Sequence, residues 1–169
     1  MWIAIAIIAL LITLYLSAHY NWWRPKVDEK CPRVLMYHSI NGTVDGISPD
    51  LVVSPKVFEA QLQYLSKKGY QFYTISELLE TKPSGKAVVL TFDDGFRDNF
   101  TEMFPILQRH NAKATIYLAP EIEGIERLNQ QQIIEMRDSG LVEFGAHTMH
   151  HVNLDKAKPD VAVAEINES

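Results

Sequence analysis

The run Val88-Val-Leu-Thr-Phe-Asp-Asp-Gly95 constrains this chain more than any other stretch. β-Forming residues that end abruptly in two carboxylates and a glycine read as a buried strand whose C-terminal end delivers acids into a loop. That is where parallel α/β folds keep their chemistry. Adjacent residues on an extended chain point to opposite sides, so Asp93 and Asp94 can do different jobs only if Gly95 lets the backbone turn sharply behind them. One carboxylate could then hold a cation while the other handles a proton.

A second stretch, Phe144-Gly-Ala-His-Thr-Met-His-His151, supplies complementary ligands. His147 and His151 stand four residues apart, and a helical turn there would project both imidazoles from one face at metal-ligand spacing. One carboxylate and two histidines with an open position for water form a common site for a hydrolytic divalent metal, and Asp94 is the obvious third donor.

Around these stretches, strand and helix patterns alternate. Arg33 to His38 reads as a first buried strand, Tyr70 to Tyr73 as a short one, and Ala114 to Leu118 and Val142 to Phe144 as two more. Between them, Ser54 caps a helix that carries Pro55 at its first position and ends at Gly69, and Ser76 to Glu80 forms a short helix capped at Thr74 or Ser76. Arg97 to His110 reads as a helix kinked at Pro105, and Leu128 to Ser139 as a further one. The alternation argues for parallel β/α units. Phe58, Tyr64, Phe104 and Tyr117 read as core packing rather than sugar-stacking platforms. His38, at the end of its strand, could line the same cleft as Asp93, or be satisfied by backbone groups there. Asn41 to Pro49 reads as a surface loop on the substrate rim.

Thr91-Phe-Asp-Asp-Gly95 and His147-Thr-Met-His-His151 resemble the TFDDG and H[ST]xxH motifs of the NodB-like polysaccharide deacetylases, carbohydrate esterase family four. Val34-Leu-Met-Tyr-His38 is similar to that family's opening strand. The resemblance implies a distorted (β/α) barrel and removal of N-acetyl groups from a glycan amino sugar. It implies a divalent metal, usually Zn2+, held by Asp94, His147 and His151, with Asp93 as general base. Thr148 would shape the loop, and His150 would point away from the metal. The acetylated glycan would be the partner, and the sequence looks more like the branch acting on exported poly-N-acetylglucosamine than the chitin or peptidoglycan branches. The family's later arginine, tryptophan and histidine motifs have no counterpart, and about five strands are too few to close a barrel. The expectation is therefore a partial α/β barrel, the N-terminal portion of a deacetylase domain truncated at its C-terminus. Two other functions stay open: an inactive membrane-tethered glycan-binding or scaffold protein, and a deformylase or amidase acting on a lipid-linked sugar.

With 169 residues, 47% of them hydrophobic, and a net charge of −5, the chain has room for one globular domain and no polyanion-binding character, so nucleic acid is not an expected partner. Cys31 stands alone and reads as an incidental thiol. The start of the chain is different. Residues 2 to 18 carry no charge and read as a membrane segment, with Tyr15, Tyr20, Trp22 and Trp23 as an interfacial belt. An uncleaved anchor is expected, with a cleaved signal peptide as its rival. Arg24 and Lys26 behind the segment would by charge alone place the domain in the cytoplasm, whereas the family resemblance places it outside, in the periplasm or at the cell surface. The expected division is anchor or signal over 1–20, linker over 21–32 and deacetylase domain over 33–169.

Overall fold

The computed structural model describes residues 2–25, 27–44 and 46–169; Lys26, one of the two basic residues behind the apolar segment, and Asp45, in the expected rim loop, lie outside the described residues. The hub is β5 (Ala87–Asp94), in a five-stranded sheet whose pairings are all parallel. Along one side it pairs with β1 (Arg33–Tyr37). Along the other it pairs first with β4 (Gln71–Tyr73) and then, further up, with β6 (Ala114–Leu118). β6 in turn pairs with β7 (Val142–Ala146), so among the described residues β1, β7 and the outer side of β4 are open edges. A strand that serves two neighbours in succession staggers the sheet, which is the shear that curved, barrel-like sheets require. A separate parallel pair, β2 (Ser39–Ile40) with β3 (Val52–Val53), follows β1 in the chain.

Period-two alternation divides the sheet's two faces. Val88, Leu90 and Phe92 of β5, with Ala114 and Ile116 of β6, join the apolar core, while Val89, Thr91 and Asp93 take the opposite, concave face. The core is closed by α2 (Pro55–Lys67) and α4 (Phe104–His110), which bring Phe58, Leu62, Phe104 and Leu107 onto it. Its densest point is an aromatic triad: the rings of Tyr37, Phe58 and Phe92 lie 5.2 to 5.7 Å apart, a spacing at which edge and offset packing add to burial. Burial also raises the Tyr37 phenol's pKa above its ordinary value. Two of the four expected core aromatics behave differently. Tyr64 is 60% exposed, because Phe58, Leu62 and Leu65 define the buried stripe of α2 and Tyr64 stands outside it. Tyr117 is only partly buried and stands on the concave face, since in β6 the even-numbered residues turn to the core.

Local chemistry sets most helix starts. Ser54 accepts from the Val57 amide before α2. Capping boxes at Thr74 with Glu77 and at Asn129 with Gln132 open α3 (Ile75–Thr81) and α5 (Gln130–Asp138). The helix expected over 97–110 is instead interrupted: Asn99–Met103 forms a wide π turn, and α4 begins at Phe104 with Pro105 in its first turn. Proline carries no N–H to donate, so the backbone widens before it and an α-helix restarts behind it. At the chain's ends lie α1 (Trp2–Tyr20) and α6 (Pro159–Asn167). α1 is long and apolar enough to cross a membrane, with mean hydropathy 2.1 and no buried residue; a signal sequence passes the same test.

Because Phe92 is fully buried in the triad directly beneath the two acids, Phe92→Ala is expected to lower stability by about 3–5 kcal/mol. Urea unfolding checks this as a drop in midpoint at unchanged slope.

Candidate metal and base site

At the end of β5 the backbone reverses within a single residue. The Gly95 amide donates to the Asp93 carbonyl at 3.0 Å, and Asp94 between them has φ 73°, a γ-turn centred in the left-handed region. Gly95 continues it at φ 79°, where a Cβ would stand 2.5 Å from Leu118 Cδ2. The positive φ favours glycine, and a side chain here would also have to push the tip of Leu118 aside. This turn separates the acids: Asp93 stays partly exposed on the concave face, and Asp94 is buried.

The histidine loop reaches Asp94 from β7. His147 still follows the sheet, its amide donating to the Leu118 carbonyl at 2.8 Å. Beyond it the expected helical turn does not form. Thr148 and His151 take φ 63° and 58°, because the loop amides are satisfied by a distant carboxylate rather than by one another. Glu165 of α6 accepts from the Met149 amide at 3.0 Å and the His150 amide at 2.9 Å, and lies 2.7 Å from His150 Nδ1. Those contacts, led by the His150 amide, hold the Glu165 carboxyl below its usual pKa, and they turn His150 away from Asp94.

The result is a convergence of three donors. Asp94 Oδ1 lies 3.7 Å from His147 Nε2 and 3.4 Å from His151 Nε2, and one donor atom from each residue falls within 4.8 Å of the others. Asp94 Oδ1 is buried and accepts no hydrogen bond among the described residues, which is costly for a carboxylate oxygen left alone. Ligands sharing one tetrahedral ion at about 2.0–2.2 Å lie roughly 3.3–3.6 Å apart. One hard oxygen and two imidazole nitrogens at this separation fit a divalent cation.

His38 lies between β1 and β2 with Nε2 4.0 Å from Asp93 Oδ2, and both side chains are mostly buried. A clamp absent from the sequence reading holds its backbone. Asn99 Nδ2 donates to the His38 carbonyl at 2.8 Å. Buried Asp98 accepts from Ser39 Oγ at 2.6 Å, from the Ile40 amide at 3.1 Å and from Asn99 Nδ2 at 3.2 Å. Asp98, Asn99 and Glu165 carried no local signal: two sit where a helix start was expected and one in a terminal helix. Deeper on the concave face, burial opposes ionisation of Glu143, yet hydrogen bonds from Ser76 Oγ at 2.5 Å, the Ser76 amide at 3.1 Å and Thr115 at 3.2 Å keep its pKa below the usual value.

The Glu165 clamp has a pH signature. A carboxyl whose folded pKa lies below the ordinary 4.5 contributes its stabilisation fully above that value and loses it as pH falls through the lower, folded one. Amide-exchange protection at Met149 and His150 is expected to follow that acid limb, and Glu165→Gln is expected to abolish the pH dependence; NMR exchange measurements decide it.

A family model described as "Polysaccharide deacetylase" matches residues 80–169. YxkH of Bacillus subtilis, named for this family, is 34% identical over 154 residues, covering 88% of this chain and 53% of its own length. The poly-β-1,6-N-acetyl-D-glucosamine N-deacetylase of Staphylococcus epidermidis is 28% identical over 106 residues, 57% of this chain and 37% of that protein. Among solved structures, Streptococcus pyogenes deacetylase PplD superposes with a TM-score of 0.69 at 33% identity, covering 81% of this chain and 65% of that one. IcaB from Ammonifex degensii gives 0.62 at 29% identity, over 76% of this chain and 56% of that chain. The chain spans about half the length of the curated relative YxkH. With its parallel β/α sheet, its paired acids and its histidine loop, the chain belongs to the polysaccharide deacetylase family.

Proposed function

We propose that the chain carries the metal- and base-bearing portion of a hydrolase that removes acetyl groups from N-acetylglucosamine units of a glycan outside the cell. The observation that carries this reading is Asp94 Oδ1, buried and without a hydrogen bond while two imidazole nitrogens stand 3.4 and 3.7 Å away. Relatives named as poly-β-1,6-N-acetyl-D-glucosamine N-deacetylases supply the substrate class. Residues 33–169 would form the deacetylase domain, 21–32 its linker, and the apolar helix α1 its anchor or export signal.

Asp94, His147 and His151 would hold a divalent cation, Zn2+ by the chemistry of the donor set, which when bound supplies Lewis acidity toward a carbonyl oxygen and toward water. Asp93 acts as general base. It stands on the concave face one residue from Asp94, and its carboxylate takes a proton from water as the water oxygen adds to the acetamide carbon. The C–N bond then breaks, the nitrogen takes the proton that Asp93 received from water and leaves as the sugar amine, and the acetyl group leaves as acetic acid, which ionises to acetate. His38 faces Asp93 across 4.0 Å and orients its carboxylate, with the Asp98–Asn99 clamp fixing the histidine in turn.

Alanine at Asp94, His147 or His151 is expected to remove most bound zinc, whereas Asp93→Asn retains the zinc and loses about 10²–10⁴-fold in acetate release from a β-1,6-linked N-acetylglucosamine oligomer. Elemental analysis beside an acetate assay tests both. Comparable zinc loss in Asp93→Asn would overturn the division of roles.

A further inference from the structure

Among the described residues, Tyr117 is the aromatic side chain that pairs across the sheet with the proposed base and that neither the core nor the donor cluster uses. In the sheet register it stands directly opposite Asp93 on one side and Gly145 on the other. Cross-strand partners share a face and lie about 4.7–4.9 Å apart, so Tyr117 rises from the same face as Asp93 one strand away, with its ring leaning over Gly145 toward β7. Gly145 makes room for the ring. A Cβ there would stand 2.8 Å from both Tyr117 Cδ1 and Cε1, so any larger residue would displace the phenol from this row. Gly145 does not have the positive φ that would otherwise explain a glycine, so the space above it is its evident use.

The hydroxyl is a donor without a recipient. Partial burial first, and the carboxylates of Glu143 and Asp93 after it, keep the phenol protonated by raising its pKa. No hydrogen bond engages it among the described residues. With no partner among those residues, a neutral O–H one strand from the proposed base is free to donate to an acceptor on the group that the base serves. An N-acetylated sugar offers such an acceptor in its acetamide oxygen; the free amine of the product, protonated, does not.

We infer that Tyr117 is a specificity residue that donates a hydrogen bond to the acetamide oxygen of the bound sugar, so that this face prefers N-acetylated over free-amine units. The inference rests on the concave face being the deacetylase site. The test uses the zinc-loaded full chain in an Asp93→Asn background, which slows turnover below the time of a titration, with Tyr117→Phe as the variant. Phenylalanine keeps the ring over Gly145 and deletes only the donor, and an unchanged melting temperature establishes that packing survives. Calorimetric titration with a β-1,6-linked N-acetylglucosamine tetramer and with its fully deacetylated counterpart gives the preference between them. The parent is expected to prefer the acetylated tetramer, and Tyr117→Phe to lose about 3- to 10-fold in affinity for that tetramer with little change for the amine. An unchanged preference in Tyr117→Phe would overturn the role of Tyr117 alone. A parent that fails to distinguish the two tetramers would overturn this inference and the deacetylase reading of the face together.

Discussion

Everything at the site depends on how the chain leaves β5. Two neighbouring carboxylates on an extended strand diverge, one to each face, and a smooth continuation would leave Asp94 among the core side chains with no partner. The γ-turn at Asp94 resolves this by lifting the residue out of the pleat at the last position that still pairs with β6. A non-glycine residue in that region costs on the order of 1–3 kcal/mol. The surroundings hold it there: the Leu128 amide donates to the Gly95 carbonyl at 2.9 Å, and the Phe92 side chain anchors the strand below.

The site's other parts are held by acids that do not face it. Glu165 and Asp98 are both buried: Glu165 spends its oxygens on the histidine loop, and Asp98 accepts from Ser39 and Ile40 at the β1–β2 junction and from its neighbour Asn99. A buried carboxylate accepting several short hydrogen bonds fixes the backbone it binds. Precision in the histidine loop therefore comes from the C-terminal helix, which explains how a loop with two left-handed residues keeps both imidazoles aimed at one oxygen.

The concave face then reads as a single surface organised by strand register. Asp93, Tyr117 and Gly145 form one row across three strands, with Glu143 and Thr115 in the row behind it. The family's match over residues 80–169 covers these rows, the donor cluster and α6 together. The chain spans about half the length of its relative YxkH.

The strands, the helix starts and the pairing of acids with histidines were legible in the sequence because their causes are local. Alternation of apolar residues, a serine or threonine cap and a glycine behind two aspartates act within a few residues of chain. What was not legible is non-local in origin. The helical turn expected at His147 to His151 gave way to an extended loop because a carboxylate beyond the loop outcompeted helical hydrogen bonds. The helix expected from Arg97 was interrupted where Asp98 and Asn99 turned toward β2. Tyr117 left the core because only the assembled sheet decides which parity of β6 faces the helices. The sequence by itself determined which residues carry carboxylates and imidazoles; only the tertiary structure decided which of them meet, because register and long-range hydrogen bonds have no signature in the spacing of a single segment.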